Sequence, residues 1–260
     1  MKDLYDPAVY DASTVAPVGD IDFYLELARE ADAGGLPVLE LACGTGRVAI
    51  PIAREGVCVV GLDRSPAMLG RAREKSAGMG TVRWVEGDMR DFALPERFGL
   101  ALIPFRSFQH LLTVADQLSC LHCIHRHLAP GGRLALHLFN PDLVRIAGWL
   151  TVRRGGAQAV GEGYTHPTGR RAKRWEMPSY RTAEQRLDVT FLDEQLDEDG
   201  AVFSRIYRDL KLRYTFRYEM EHLFARTRFE IEALYGDFFG AAFDDTSVEM
   251  VWVVRRPEER

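Results

Sequence analysis

The chain has 260 residues, of which 47% are hydrophobic and 27% charged, with a formal net charge of -5. That leaves ample apolar residue for a sizeable core, while the acidic balance removes any global reason to bind nucleic acid or an anionic membrane. No stretch is long and apolar enough to span a bilayer, the start MKDLYDPAVYD has no signal-peptide core, and the four cysteines fit free thiols, so a cytoplasmic protein is expected.

Residues 1 to 18 carry little periodic hydrophobicity and place Tyr5 and Tyr10 on either side of Pro7. The spacing of Ile21, Tyr24, Leu25 and Ala28 then predicts an amphipathic helix over 20–33, with Asp20 as its N-cap and Gly34-Gly35 as its stop.

The stretch Val38-Leu39-Glu40-Leu41-Ala42-Cys43-Gly44-Thr45-Gly46-Arg47-Val48-Ala49 reads as a buried strand, a glycine turn and the start of a helix expected from Gly46 to Glu55. Gly44 and Gly46 allow a tight bend and a close ligand approach, and the first N–H groups of the helix point into the turn. Gly44-x-Gly46-x-x-Ala49, with Asp63 further on, matches the dinucleotide fingerprint, so an NAD(P)-dependent oxidoreductase is one reading. Glu40 argues against it, because a pyrophosphate beside that carboxylate would be repelled. A cationic amine or sulfonium would be attracted, and S-adenosylmethionine carries both.

The apolar run Val57 to Leu62 predicts the next strand, ending at Asp63, which suits a ribose diol. Ser65-Pro66 opens a helix as N-cap and first residue. Val82-Arg83-Trp84-Val85-Glu86-Gly87-Asp88-Met89 is another strand ending in an acid, where Asp88 suits an adenine amino group and Met89 the ring face.

These segments resemble a class I S-adenosylmethionine-dependent methyltransferase of the small-molecule type. LELACGTGR resembles that family's first motif with Ala42 in place of a glycine, VVGLDRSPAML its second strand, EGDMRDF its adenine motif, and HLAPGGRLALHLFNP its fifth-strand region. The resemblance spans roughly residues 36 to 141. It implies S-adenosylmethionine as cofactor, held by Glu40, Ala42, Cys43, Gly44, Gly46, Arg47, Asp63, Arg64, Met68, Asp88, Met89 and Phe105, and an N-terminal lid on which Tyr10 covers the cofactor and Tyr5 is a candidate substrate contact. It implies a small-molecule methyl acceptor, no nucleic-acid or membrane partner, and leaves a homodimer open. A non-catalytic cofactor-binding protein is the remaining alternative.

Phe98 to Pro104 predicts the fourth strand, and Phe105-Arg106-Ser107-Phe108-Gln109-His110 follows it. His110 is the one group there with a near-neutral ordinary pKa and is the candidate base or orienter; Arg106 is a candidate for an acidic substrate group. A helix over 116–128 carries Cys120, Cys123 and His127 on one side, but nothing nearby completes a zinc site, so no metal is expected. Arg133 to Phe139 is the fifth strand.

From 142 to 186 the pattern weakens into an aromatic and basic stretch, read as a substrate-covering loop with Tyr164, Trp175 and Arg181 as candidate contacts. Residues 188–196 and 202–214 predict a hairpin around Asp197-Glu198-Asp199-Gly200, with Tyr214 as a further candidate contact. A helix over 216–226 and strands over 229–235 and 247–255, the last antiparallel, close the chain.

The expected fold is α/β: a doubly wound, mostly parallel seven-stranded Rossmann-like sheet with an added antiparallel β substrate cover. One methyltransferase domain over 1–260 is divided into an N-terminal lid and helix (1–35), a cofactor-binding core (36–141), the substrate-cover insertion with its hairpin (142–215) and the closing helix and strands (216–260).

Overall fold

A computed structural model describes residues 6–151 and 156–258. Tyr5 lies outside the described residues. The chain separates into two compact units, one of Ala16–Asn140 and Thr215–Arg260, the other of Met1–Val15 and Pro141–Tyr214. The segment 1–35 is therefore shared between the two.

In chain order the elements are α1 (Pro7–Ser13), α2 (Asp20–Ala33), β1 (Val38–Leu41), α3 (Ala49–Arg54), β2 (Val59–Asp63), α4 (Pro66–Lys75), β3 (Val82–Glu86), β4 (Phe98–Ile103), α5 (Val114–His127), β5 (Leu128–Phe139), α6 (Leu143–Thr151), β6 (Gln158–Ala159), β7 (Tyr164–Thr165), β8 (Arg171–Arg181), β9 (Arg186–Leu196), β10 (Val202–Arg213), α7 (Arg217–Arg226), β11 (Glu230–Tyr235) and β12 (Glu249–Arg255).

The larger unit is built on a seven-stranded sheet of order β11-β12-β5-β4-β1-β2-β3. β3, β2, β1, β4 and β5 are parallel, β12 runs antiparallel to β5, and β11 runs antiparallel to β12. The strand order reverses between β1 and β4, and in such sheets ligands sit at the carboxyl ends beside that switch. Strand alternation divides the core. Leu39, Leu41, Ala101, Ile103, Leu136 and Trp252 join the cluster that includes α5 and α7 residues. Val38, Leu100, Leu102, Ala135, Val251 and Val253 join Tyr24, Leu27 and Ala28 of α2 and Ile52 of α3.

Ser65 caps α4 by accepting from the Met68 N–H, with Pro66 in the first turn, as the sequence predicts. Two local readings are corrected. Gly19, at φ 82°, is the cap residue of α2, and Asp20 is its first helical residue. The helix after the glycine turn begins at Ala49, because Gly44 (φ 56°) and Gly46 (φ 79°) hold a left-handed backbone that no helix continues.

The smaller unit carries a second, antiparallel sheet of order β10-β9-β8-β6, with β7 also paired to β8. β9 and β10 form the expected hairpin around Asp197–Gly200. The stretch read as a loop over 142–186 instead contains α6 and the eleven-residue β8. Its charges obscured the strand: Arg174 pairs with Asp193 of β9, so ionic side chains satisfy each other across neighbouring strands. The N-terminal segment likewise contains α1, whose start is set by Asp6 accepting from the Ala8 and Val9 N–H groups at 3.0 Å each, with Pro7 in the first turn. Among the described residues no helix is long and apolar enough to cross a membrane.

Candidate active site

The carboxyl ends of β1, β2 and β3 bring three acids to one rim of the sheet. The Cys43 N–H donates to the Leu62 carbonyl, so the glycine turn runs on beside β2. Asp63 then ties the turn down: one carboxylate oxygen accepts from the Gly44 N–H and the other from the Ser65 N–H, each at 2.8 Å. Burial raises the pKa of Asp63 against those hydrogen bonds. Its backbone carbonyl accepts from the Gly87 N–H, placing Asp88 and Met89 next along the rim.

Ala42 sits at φ 52°, a left-handed conformation in which a Cβ is strained. Gly46 cannot carry a Cβ at all without movement, since it would lie 2.6 Å from the Trp84 ring and 2.9 Å from Ile50. At Gly44 a Cβ would meet nothing within 4 Å, which marks open space on that side of the turn.

Glu40 is 2% exposed, and its Oε2 has no hydrogen-bond partner among the described residues. Burial pushes its pKa up to about 8, with nearby Arg47 pulling the other way. Arg47 donates twice to Asp20 of α2, at 2.6 and 3.1 Å, and its guanidinium stands 5.2 Å from the Phe105 ring centre. The expected N-cap acid thus serves as the anchor of Arg47.

By strand alternation Glu40, His137 and Glu249 share the sheet face that meets α2, on β1, β5 and β12. All three are buried there, as are Asp20 and Tyr24 of α2. Among the described residues Tyr24 Oη and His137 Nδ1 have no hydrogen-bond partner, and burial raises the Tyr24 pKa well above its ordinary value. Burial also lowers the pKa of His137, against the pull of Glu249, so the ring is neutral near pH 7. His137 Nε2 lies 2.9 Å from Glu249 Oε2, and Glu249 also pairs with Arg106. A neutral ring donating from Nε2 to that carboxylate leaves Nδ1 as a bare acceptor.

The segment after β4 carries two consecutive left-handed residues, Phe105 (φ 54°) and Arg106 (φ 64°), before a single 3-10 turn, Ser107–His110. The Phe139 N–H donates to Gln109 Oε1 at 3.2 Å, fastening the turn to β5. His110 is half-buried, and burial together with the charge of Arg64 lowers its pKa to about 4. It is neutral at physiological pH.

The remaining sequence candidates fall in both units. Asp88 accepts three hydrogen bonds from Arg90, which lower its pKa, and Arg90 also reaches Asp116. Met68 is buried on α4, and Arg64 is exposed. Arg106 pairs with Glu249 and its side chain is 40% exposed. In the smaller unit, Tyr10 is half-buried on α1, and the Tyr164 hydroxyl donates to Asp193 at 3.1 Å. Trp175 Nε1 donates to Glu194 at 2.8 Å, Arg181 pairs with Asp188, and Tyr214 is buried with its ring 6.0 Å from that of Tyr180. Cys120 and Cys123 are core residues of α5, while His127 accepts from the Leu94 N–H and donates to the Cys123 carbonyl, a helix-anchoring use of that ring. Asp20, Tyr24, His137 and Glu249 were missed. The available signal was a charged or polar residue breaking an apolar strand, as His137 does in Leu134-Ala135-Leu136-His137-Leu138.

Residues 38–132 match the methyltransferase domain family. Over 177 residues the chain is 30% identical to the cypemycin N-terminal methyltransferase of a Streptomyces species, covering 64% of this chain and 67% of that protein. The chain is a class I S-adenosylmethionine-dependent methyltransferase. The methyltransferase aligns over 98% of its length with the CcbJ methyltransferase of Streptomyces caelestis, covering 99% of that chain at 26% identity and a TM-score of 0.78. It aligns over 91% of its length with CalS10 of Micromonospora echinaspora, an amino pentose methyltransferase solved with S-adenosylmethionine bound, covering 90% of that chain at 25% identity and a TM-score of 0.69. It is also 29% identical over 134 residues to the dTDP-3-amino-3,4,6-trideoxy-alpha-D-glucopyranose N,N-dimethyltransferase of Streptomyces venezuelae, spanning 55% of that protein. The fold, the family and an enzymatic role as a methyltransferase agree with the sequence reading, and the nicotinamide and non-catalytic alternatives are set aside.

Proposed function

We propose that this methyltransferase binds S-adenosylmethionine across the carboxyl ends of β1 to β3 and methylates an amine nitrogen of a small molecule. The unpartnered, buried Glu40 oxygen and the open side of the Gly44 turn fit a cationic ligand with a polar tail. Glu40 and the turn would hold the methionyl part, Asp63 the ribose, and Asp88 with Met89 the adenine. When bound, the cofactor supplies an electrophilic methyl group on a sulfonium, which is already a good leaving group.

What remains for the protein is positioning, exclusion of water and handling of one proton. What supports the nitrogen reading is the place of His110, half-buried in the turn that follows β4 at the carboxyl end of the sheet, together with the charge state that burial gives it. An imidazole with its pKa near 4 is a poor base for a hydroxyl, yet it is neutral and accepts a hydrogen bond. An amine arriving in its neutral form is nucleophilic without deprotonation. His110 then orients an N–H and directs the lone pair at the methyl group. The names of the relatives add support: those of cypemycin and the amino sugars refer to N-terminal or N,N-dimethyl transfer.

The test is an acceptor panel of amino sugars, amino acids, short peptides and phenols, read as S-adenosylhomocysteine released. Turnover with amine members is expected. Turnover confined to hydroxyl acceptors would overturn the nitrogen reading.

A further inference from the structure

β10 is an edge strand. One side of Val202–Arg213 pairs with β9 along nearly its whole length, and among the described residues no strand pairs with the other side. Its first half is apolar and bare: Val202 is 41% exposed, Phe203 53%, Ile206 43% and Tyr207 61%. Such a long, unprotected edge offers a row of backbone donors and acceptors to another strand.

We propose that this edge pairs antiparallel with β10 of a second copy, about a two-fold axis at Tyr207, so that the second sheet continues through a homodimer. The occupant is specified by the strand's own charges. Two copies of one strand related by a two-fold place residue i opposite residue 2c − i, and facing residues share a sheet face, so the axis passes at a residue c. With c at Tyr207, Arg205 faces Asp209 of the second copy, and the reverse pair repeats the contact. Val202 then faces Leu212, and Tyr207 faces itself. With c at Arg208, that arginine opposes itself and Arg205 opposes Lys211. With c at Asp209, that carboxylate opposes itself and Arg205 opposes Arg213. With c at Ile206, Phe203 opposes Asp209 and no charges are matched. With c at Leu210, Asp209 faces Lys211, but Val202 to Ile206 run past the end of the partner strand and the exposed apolar half stays uncovered. Like charges directly opposite each other on paired strands are destabilising, and opposite charges are favourable.

The two charged partners are already held in place. Arg205 donates to Glu194 at 2.9 Å, and Asp209 accepts from the Thr190 hydroxyl at 2.7 Å, both neighbours on β9. A guanidinium has five donors and a carboxylate about four acceptor positions, so each retains capacity for a partner across the axis. One exposed ring is also covered from within its own chain, with the Arg170 guanidinium 4.2 Å from the Phe203 ring centre.

The experiment is sedimentation equilibrium on the full chain, combined with register-specific cross-linking. The wild type is expected to be a dimer. Arg205→Asp should weaken it about ten-fold or more, and the double variant Arg205→Asp/Asp209→Arg should restore it. Facing residues on antiparallel strands have Cα atoms about 4.5–5.5 Å apart, within disulfide reach. Tyr207→Cys should therefore cross-link two chains under mild oxidation, whereas Ile206→Cys, which faces Arg208, should not. Both are made with Cys58→Ser, because Cys58 is exposed while the other three cysteines are buried. The cross-linking comparison stands even where Arg205→Asp disturbs the hairpin. A monomeric wild type, a dimer indifferent to folded Arg205→Asp, or equal cross-linking at both positions would overturn the proposal.

Discussion

Glu249 holds Arg106 across 143 positions of chain, and in doing so it fixes the backbone that leads to His110. Burial opposes ionisation of Glu249, but hydrogen bonds from His137 and Arg106 outweigh it and leave its pKa lowered. The carboxylate is needed because Phe105 and Arg106 both occupy the left-handed region, and each such residue costs about 1–3 kcal/mol unless its surroundings impose it. Replacement by Glu249→Gln keeps the shape and removes the charge. The expected result is a fall in kcat/KM of about ten-fold or more with S-adenosylhomocysteine affinity nearly unchanged, because the glycine turn does not depend on Glu249. Urea unfolding should show a loss of about 1–3 kcal/mol, moderated because Arg106 is 40% exposed. Equal losses in cofactor binding and turnover would instead mean a general structural role.

With Glu40 against the cofactor as proposed, binding should be sensitive to pH. Its pKa of about 8 means that the free protein carries it largely protonated at pH 7. A cationic ligand favours the ionised form, so binding should release a proton. Affinity for S-adenosylhomocysteine should rise between about pH 6 and 8 and level off above. Calorimetry in buffers of different ionisation enthalpy reads that release directly, and Glu40→Gln should abolish it. The same shift has a stability sign. Between the ordinary carboxylate range and about 8 the native protein binds a proton that the unfolded chain has lost, so this group's contribution makes the ligand-free protein less stable as pH rises through that window. A pH-independent affinity shared by wild type and Glu40→Gln would remove Glu40 from the cofactor site.

Much of this was legible because it is written in local spacing. The strand, glycine turn and helix around Gly44, the Ser65-Pro66 cap and the Asp197–Gly200 hairpin each declare themselves within a dozen residues. What was hidden depends on pairings distant in sequence. Glu249 reads as the polar start of an apolar strand until β12 lies antiparallel to β5, with Val251 opposite His137. Asp20 has the chemistry of a helix cap, and only the approach of Arg47 from the glycine turn converts it into an ion-pair partner. β8 escaped notice because its stabilisation lies in cross-strand charges rather than apolar alternation.

Asp88 tests the adenine assignment. Arg90 engages both oxygens of its carboxylate and also reaches Asp116 at 2.9 Å, so the acid is held in one orientation with acceptor capacity to spare. Asp88→Ala should weaken S-adenosylhomocysteine binding by about 1–3 kcal/mol while leaving thermal stability nearly unchanged, since the Arg90 pair is largely exposed. Asp116→Asn serves as the control. It removes a charge from the same arginine without touching the proposed ligand contact, so its affinity should remain within about 0.5 kcal/mol of wild type. Equal losses from the two substitutions would mean that the Arg90 bridge, rather than an adenine contact, supports binding.

Ala42 is the position at which this methyltransferase departs from the glycine of the motif it resembles, and the backbone shows the consequence. At φ 52° an alanine pays roughly 1–2 kcal/mol relative to the right-handed region, whereas glycine has no such penalty but loses about 0.5–1 kcal/mol more chain entropy on folding. Ala42→Gly should therefore be stabilising by about 1 kcal/mol or less, which at this size raises Tm by only about 2–4 °C. Gly46→Ala is its opposite. The added Cβ would lie 2.6 Å from the Trp84 ring at φ 79°, and Trp84 is itself held by a 2.9 Å hydrogen bond from Nε1 to Ser76. The ring cannot withdraw without breaking that bond, so Gly46→Ala should lower Tm markedly and abolish cofactor binding. Calorimetric melts of the two single variants against wild type check both signs at once. A Gly46→Ala protein that melts like wild type would mean that the turn is far more compliant than its contacts with Trp84 and Ile50 require.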